Sequence, residues 1–159
     1  MALDVDFPVT ASGPSLGINA HPVIDGLEVN SSTFLRGAVL IDSGSGTLQE
    51  AGANPADIVG VAILAGQNGT SKTTKFNPAI RGVVFEGQID QDAGDLALLQ
   101  THLWGKYGIT KEATSGYWYV DVDKTGANAR VVVVGFKSAV GDTKARVYFV
   151  FLSNNTIFG

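Results

Sequence analysis

The sequence predicts a mainly β protein: an antiparallel β-barrel or β-sandwich with one short helix and an extended N-terminal arm. Three observations predict it. Residues 116–123, 130–136 and 146–152 are runs dense in β-branched and aromatic residues, separated by Gly, Asn, Asp and Lys, the composition of strands between turns. Glycine occurs 20 times in 159 residues, so the chain turns often. A single stretch, 95–105, carries helical spacing.

The elements follow in order. Residues 1–32 contain Pro8, Pro14 and Pro22 among apolar points that include Phe7, Val9, Leu16, Ile18, Val23 and Ile24. No period is sustained there and the prolines interrupt any ladder, so 1–32 reads as an extended arm and 33–159 as the β-rich domain. A disordered terminus is normally poor in hydrophobic residues. The six apolar residues just named are therefore the candidate interaction residues, with the arm docking on its own domain or on a neighbour.

Residues 33–42 read as a strand closed by the Ser43-Gly44-Ser45-Gly46 turn, with Gly37 marking a bulge. Residues 48–53 pair back, Asn54-Pro55-Ala56-Asp57 turns, and 58–65 form a buried strand. A polar loop over 66–74 precedes a strand at 80–86. In the helical stretch Leu96, Leu99 and Leu103 share a face, Asp95 caps the start and Gly105 lies past the end. The last three runs then form an antiparallel meander.

Alternation assigns the faces of that meander. Trp118, Val120 and Val122 oppose Tyr117, Tyr119, Asp121 and Asp123. Val132, Val134 and Phe136 oppose Val131 and Val133, and Tyr148, Val150 and Leu152 oppose Val147, Phe149 and Phe151. The second and third strands are apolar on both sides. Their outer side demands a cover, from the sheet of 33–86, from the arm or from another subunit.

Composition narrows the function. With no cysteine, disulfides, thiolate metal sites and cysteine nucleophiles are excluded. Charged residues are 16%, against roughly 25% in ordinary soluble domains, which suits a surface packed against other proteins. Net charge is −4 with no Lys/Arg cluster, so no footprint for nucleic acid exists. The N-terminus lacks the basic and apolar regions of a signal peptide, and no apolar run reaches the ~20 residues of a membrane span. The expectation is a chain with neither nucleic-acid nor membrane partners.

Several motifs fail on spacing. Gly13-Pro14-Ser15-Leu16-Gly17 matches the letters of a nucleophile elbow but has a proline inside it and no strand–turn–helix context. In Gly66-Gln67-Asn68-Gly69-Thr70-Ser71-Lys72-Thr73, two residues separate the glycine from the lysine of a phosphate loop. Asp121-Val122-Asp123-Lys124-Thr125-Gly126 copies half a calcium loop, but Val132 stands where the bidentate acid belongs; it reads as a hairpin, with a weak metal site at Asp121 and Asp123 as the lesser alternative. Asp90-Gln91-Asp92-Ala93-Gly94-Asp95 reads as a loop into the helix cap. His21 and His102 lack a second ligand at metal spacing. No cofactor and no catalytic residue is expected.

Gly105-Lys106-Tyr107-Gly108-Ile109-Thr110, with 116–121 and 130–136, resembles capsid decoration (cement) proteins of tailed bacteriophages, as does 35–41 leading to 58–62. The resemblance implies a small β-rich domain on the outer surface of the virion capsid, made in the host cytoplasm. It would bind the major capsid protein as a homo-oligomer, a dimer or trimer, and stabilise the lattice without catalysis. The competing expectation is a carbohydrate- or receptor-binding β-module of a phage fibre or tail, with Trp104, Tyr117, Trp118 and Tyr119 as stacking residues. A hydrolase would need a convergent polar pocket that the sequence does not show.

Overall fold

The structure, a computed structural model, describes residues 8–11, 21–91 and 95–159. The protein is mainly β, as its composition demands. Eleven strands follow in chain order: β1 (Thr10–Ala11), β2 (Ile24–Leu27), β3 (Val39–Asp42), β4 (Leu48–Glu50), β5 (Ile58–Ala62), β6 (Thr73–Pro78), β7 (Phe85–Asp90), β8 (Lys106–Lys111), β9 (Trp118–Asp121), β10 (Val131–Phe136) and β11 (Arg146–Phe151).

They form two sheets. In the first, β7, β11, β10, β8 and β9 pair in that order. A parallel contact of Ile89 with Val120 and Asp90 with Asp121 joins β9 back to β7, closing a five-stranded barrel. β1 adds to β7 beside this closure, with Thr10 opposite Glu86 and Ala11 opposite Phe85. The second sheet runs β2-β6-β5-β3-β4, and a parallel bridge between Glu28 and Leu48 ties its two edges. Closure removes free edges, the usual sites of unwanted strand pairing.

The core is continuous between the sheets. Val39, Leu40, Ile58 and Val61 from the second meet Ile89, Val120, Val131, Val147 and Phe149 from the barrel in one buried cluster. All five residues of β5 and all six of β7 are buried. That explains why β5 reads as an unbroken apolar run.

Several expectations change. The meander is not contiguous, because β8 lies between β9 and β10. The helix expected over 95–105 is a single 3-10 turn at Gln100–His102. Ala97 bridges Thr143, Leu98 N–H donates to Asp142 O at 2.9 Å, and Trp104 N–H donates to Val133 O at 2.9 Å. Those tertiary pairings override a modest helical propensity: Leu98 is fully buried and Leu99 half exposed, opposite to the expected face. The strand expected at 80–86 lies at 85–90, and the polar loop ends at β6. Gly37 sits in a turn before β3, at φ +85, where Pro8 and Val9 approach too closely for any side chain.

Within the first 32 residues, the described stretches include β1 and β2. Val9 is wholly buried, and Ile24 to Leu27 pair with Phe76 to Thr73.

Candidate interaction face

The outer side of the closing strands is half covered. On β10 and β11, Val131, Val133, Val147 and Phe149 point into the barrel and are buried, while Val132, Val134, Tyr148 and Val150 remain partly exposed. Register sets this face. Val132 lies opposite Val150 on one side and Lys106 on the other. A bulge between Val133 and Gly135 then shifts the pairing, putting Phe136 opposite Val147. Phe136 consequently packs on the core instead of sharing the face of Val132, as strict alternation would have it.

A second irregularity lies just before β8, where the chain meets β10. Trp104 N–H donates to Val133 O and Val133 N–H donates to Gly105 O at 3.0 Å, so two residues oppose one. Trp104 takes the left-handed position at φ +65 and is 67% exposed. A bulky residue in that conformation is a genuine outlier, and such strain collects at functional positions. At the other end lies an apolar cleft of about 240 Å³, bounded by Ile80, Arg81, Val132, Val150, Leu152 and Phe158. The chain's last residues form its wall, since Thr156 bridges Ile58 and Ile157 N–H donates to Ile58 O.

Charge rims the face with one sign. Lys106 and Arg81 are exposed beside it, and neither takes part in an ion pair among the described residues. Towards β7, the buried Glu86 carboxylate is held by Lys137 at 3.0 Å and by Arg146. An apolar centre with a cationic margin is an arrangement suited to binding a protein surface.

The motif residues fall elsewhere. Lys124 Nζ lies 2.8 Å from Asp121 Oδ2 and 2.7 Å from Thr110 Oγ1, while Thr110 Oγ1 donates to Asp121 Oδ2 at 2.9 Å. The ammonium thus stands against the carboxylate that a calcium ion would need, and among the described residues no group of three His, Asp or Glu converges. The segment after Asp121 leads through a 3-10 turn at Gly126–Asn128 into β10, which β9 does not pair with. It is therefore a crossing loop and not a hairpin. Asp90 Oδ1 accepts from Gln91 and Leu96 N–H; burial first, then the charge of Asp95, raises its pKa. His102 is buried against Tyr107, its Nδ1 accepts from Leu99 N–H, and burial lowers its pKa. The loop 66–72 joins β5 to β6, and its Gln67 N–H donates to Glu28 Oε2 at 2.9 Å.

Of the six candidate interaction residues, Phe7, Leu16 and Ile18 lie outside the described residues, as does the 13–17 motif. Val9 is buried within its own chain, and Val23 and Ile24 are 53% and 41% exposed. Of the four candidate stacking residues, Trp118 and Tyr119 are core, Tyr117 is half buried and Trp104 is exposed. Lys106 and Arg81 escaped the sequence reading. Lys106 would have been found by recognising β8, whose alternation is hidden behind Gly105 and Gly108. The sequence matches no family model and no curated protein.

Proposed function

We propose that this protein is a non-enzymatic capsid decoration (cement) protein of a tailed bacteriophage, bound to the outside of the head and clamping the major capsid protein lattice. The observation that carries the reading is the half-exposed apolar face of β10 and β11, a surface that a lone soluble domain would normally cover. Low charge density and the sequence resemblance support it. Stabilisation would come from added interface, on the order of 1,600 Å² for a stable contact, multiplied by repetition over the lattice. Imaging of particles purified from the producing culture, with the chain tagged, tests it: label on the outer head surface is expected. Label on the tail alone, or on no particle, sinks it.

Exposed, strained Trp104 favours a second reading, a carbohydrate- or receptor-binding module of a fibre or tail, since a flat exposed indole is a stacking platform. A glycan array is the measurement, and binding that Trp104→Ala abolishes would move the assignment to this class.

A further inference from the structure

We propose that the apolar face of β10 and β11 seats residues 1–7 of a second copy of this chain. This presupposes the reading of the face as an assembly surface and names its occupant.

The chemistry of the two parts is complementary. Leu3-Asp4-Val5-Asp6-Phe7 alternates apolar and acidic residues; laid out extended, it turns Leu3, Val5 and Phe7 to one side. The face offers Val132, Val134, Tyr148 and Val150 in the centre, with Lys106 and Arg81 at the margin. Asp4 and Asp6 fall on the opposite side of that extended segment, within reach only of long side chains that curl round its edge, such as Lys106 and Arg81, neither of which has an ion-pair partner among the described residues. Five extended residues span ~17 Å, enough to cross β10 and β11, neighbouring strands about 5 Å apart, and reach the margin at Lys106.

The face does not complement itself. Two copies joined face to face would bring cationic margin against cationic margin, a juxtaposition that costs affinity. The described part of the chain's own arm, Pro8 to Ala11, does not lead to the cleft. β1 runs antiparallel to β7, so stepping back from Thr10, opposite Glu86, leads past Gly87 towards the Asp90 end. The cleft lies beyond the other end, where Val150 follows the Phe149–Phe85 pair. Pro8 and Val9 pack closely against Gly37, on the Asp90 side of the β1–β7 pair. A segment arriving from another copy need not start from that side.

Complementation between two full-length variants tests this. One carries Val132→Asp, which spoils the face and leaves the arm; the other carries Leu3→Ser, Val5→Ser and Phe7→Ser, which spoils the arm and leaves the face. By sedimentation velocity the wild type should self-associate, each variant alone should associate at least tenfold more weakly, and an equimolar mixture should restore a heterodimer. Lys106→Glu, a surface change, replaces Val132→Asp if that variant does not fold. Undiminished association of the arm variant overturns the proposal in favour of face-to-face packing. A monomeric wild type overturns it in favour of docking within one chain, and a mixture that stays dissociated beside a self-associating wild type overturns it in favour of an interface that needs arm and face on the same copy. These readouts use purified protein without heads, so a failed capsid assignment leaves them interpretable, and the reverse.

Discussion

Trp118 Nε1–H donates to Glu50 Oε1 at 3.0 Å, and Lys111 Nζ donates to the other oxygen of the same carboxylate at 2.7 Å. Trp118 and Lys111 belong to the barrel, Glu50 to β4 of the second sheet, so one side chain fastens the barrel to that sheet. Hydrogen bonds to a charged group contribute about 1.5–3 kcal/mol. Glu50→Ala should cost about 2 kcal/mol in urea unfolding, because it also strands a buried indole N–H. Glu50→Gln keeps an acceptor for the indole and should cost less. A loss below roughly 0.5 kcal/mol for the alanine variant, the size of an ordinary surface change, would show that the sheets are held by the apolar core alone.

Arg130 makes the second fastening, and it does so without a carboxylate. Its buried guanidinium donates to the carbonyls of Pro55 and, at 3.2 Å, Asn54 in the second sheet's turn, and at 2.9 Å to Ala127 and Ala129 before β10. A planar fork reaches four carbonyls where an ammonium cannot. Arg130→Lys should therefore lower stability by about 2–4 kcal/mol, by stranding buried carbonyls. Equal stability of the lysine variant would mean that water replaces the missing donors.

The elements that the sequence reveals are those whose side-chain pattern is set locally. β5, β10 and β11 are long β-branched runs, and Asn54-Pro55 turns wherever it is placed. What stays hidden is set by partners distant in sequence. β8 sits between β9 and β10 because Lys106 and Tyr107 find Val132 and Val131, and neither segment announces that pairing. Leu96, Leu99 and Leu103 have helical spacing, yet Leu98 is the buried residue because the loop around Asp142 binds its backbone. The apolar face was legible as a strand with two greasy sides. Its bulges, which turn Phe136 inward and Trp104 outward, were not.

Acid should act on three buried groups with different signs. Burial raises the carboxyl of Glu112, but the N–H groups of Ser115 and Thr114 outweigh it, so the net pKa lies below the ordinary value. A depressed carboxylate contributes stability above its unfolded pKa and loses it as pH falls through the folded one. Glu112→Gln should accordingly be less stable than wild type at pH 7, with the difference shrinking below about pH 4. Asp90 is raised, so the sign reverses: its advantage exists in acid and is lost as pH rises. Asp90→Asn, which keeps the oxygen that accepts from Gln91 and Leu96, should be more stable than wild type at pH 7 and converge with it below about pH 4. His102 is lowered by burial, so wild type should lose stability as pH falls below about 6.5. Urea midpoints from about pH 3 to about pH 8, which spans the carboxylate and imidazole ranges, in buffers of constant ionic strength measure all three.

Trp104 separates fold from function most sharply. Its left-handed backbone costs about 1–2 kcal/mol for a residue with a Cβ, and its exposed indole recovers little of that by burial. Glycine takes the same φ without the clash, at an entropic cost of about 0.5–1 kcal/mol. Trp104→Gly should therefore leave the fold as stable as wild type, or more stable by up to about 1 kcal/mol. Trp104→Val keeps the strain and adds β-branching, so it should be less stable than the glycine variant by about 1 kcal/mol or more. Both should weaken self-association, since each removes the largest exposed apolar side chain among the described residues and aromatic anchors dominate interface energetics. Glycine destabilising the monomer by more than about 1 kcal/mol would place the indole in the packing of the fold. A stable glycine variant with weakened association leaves binding as the reason a tryptophan occupies a glycine's position.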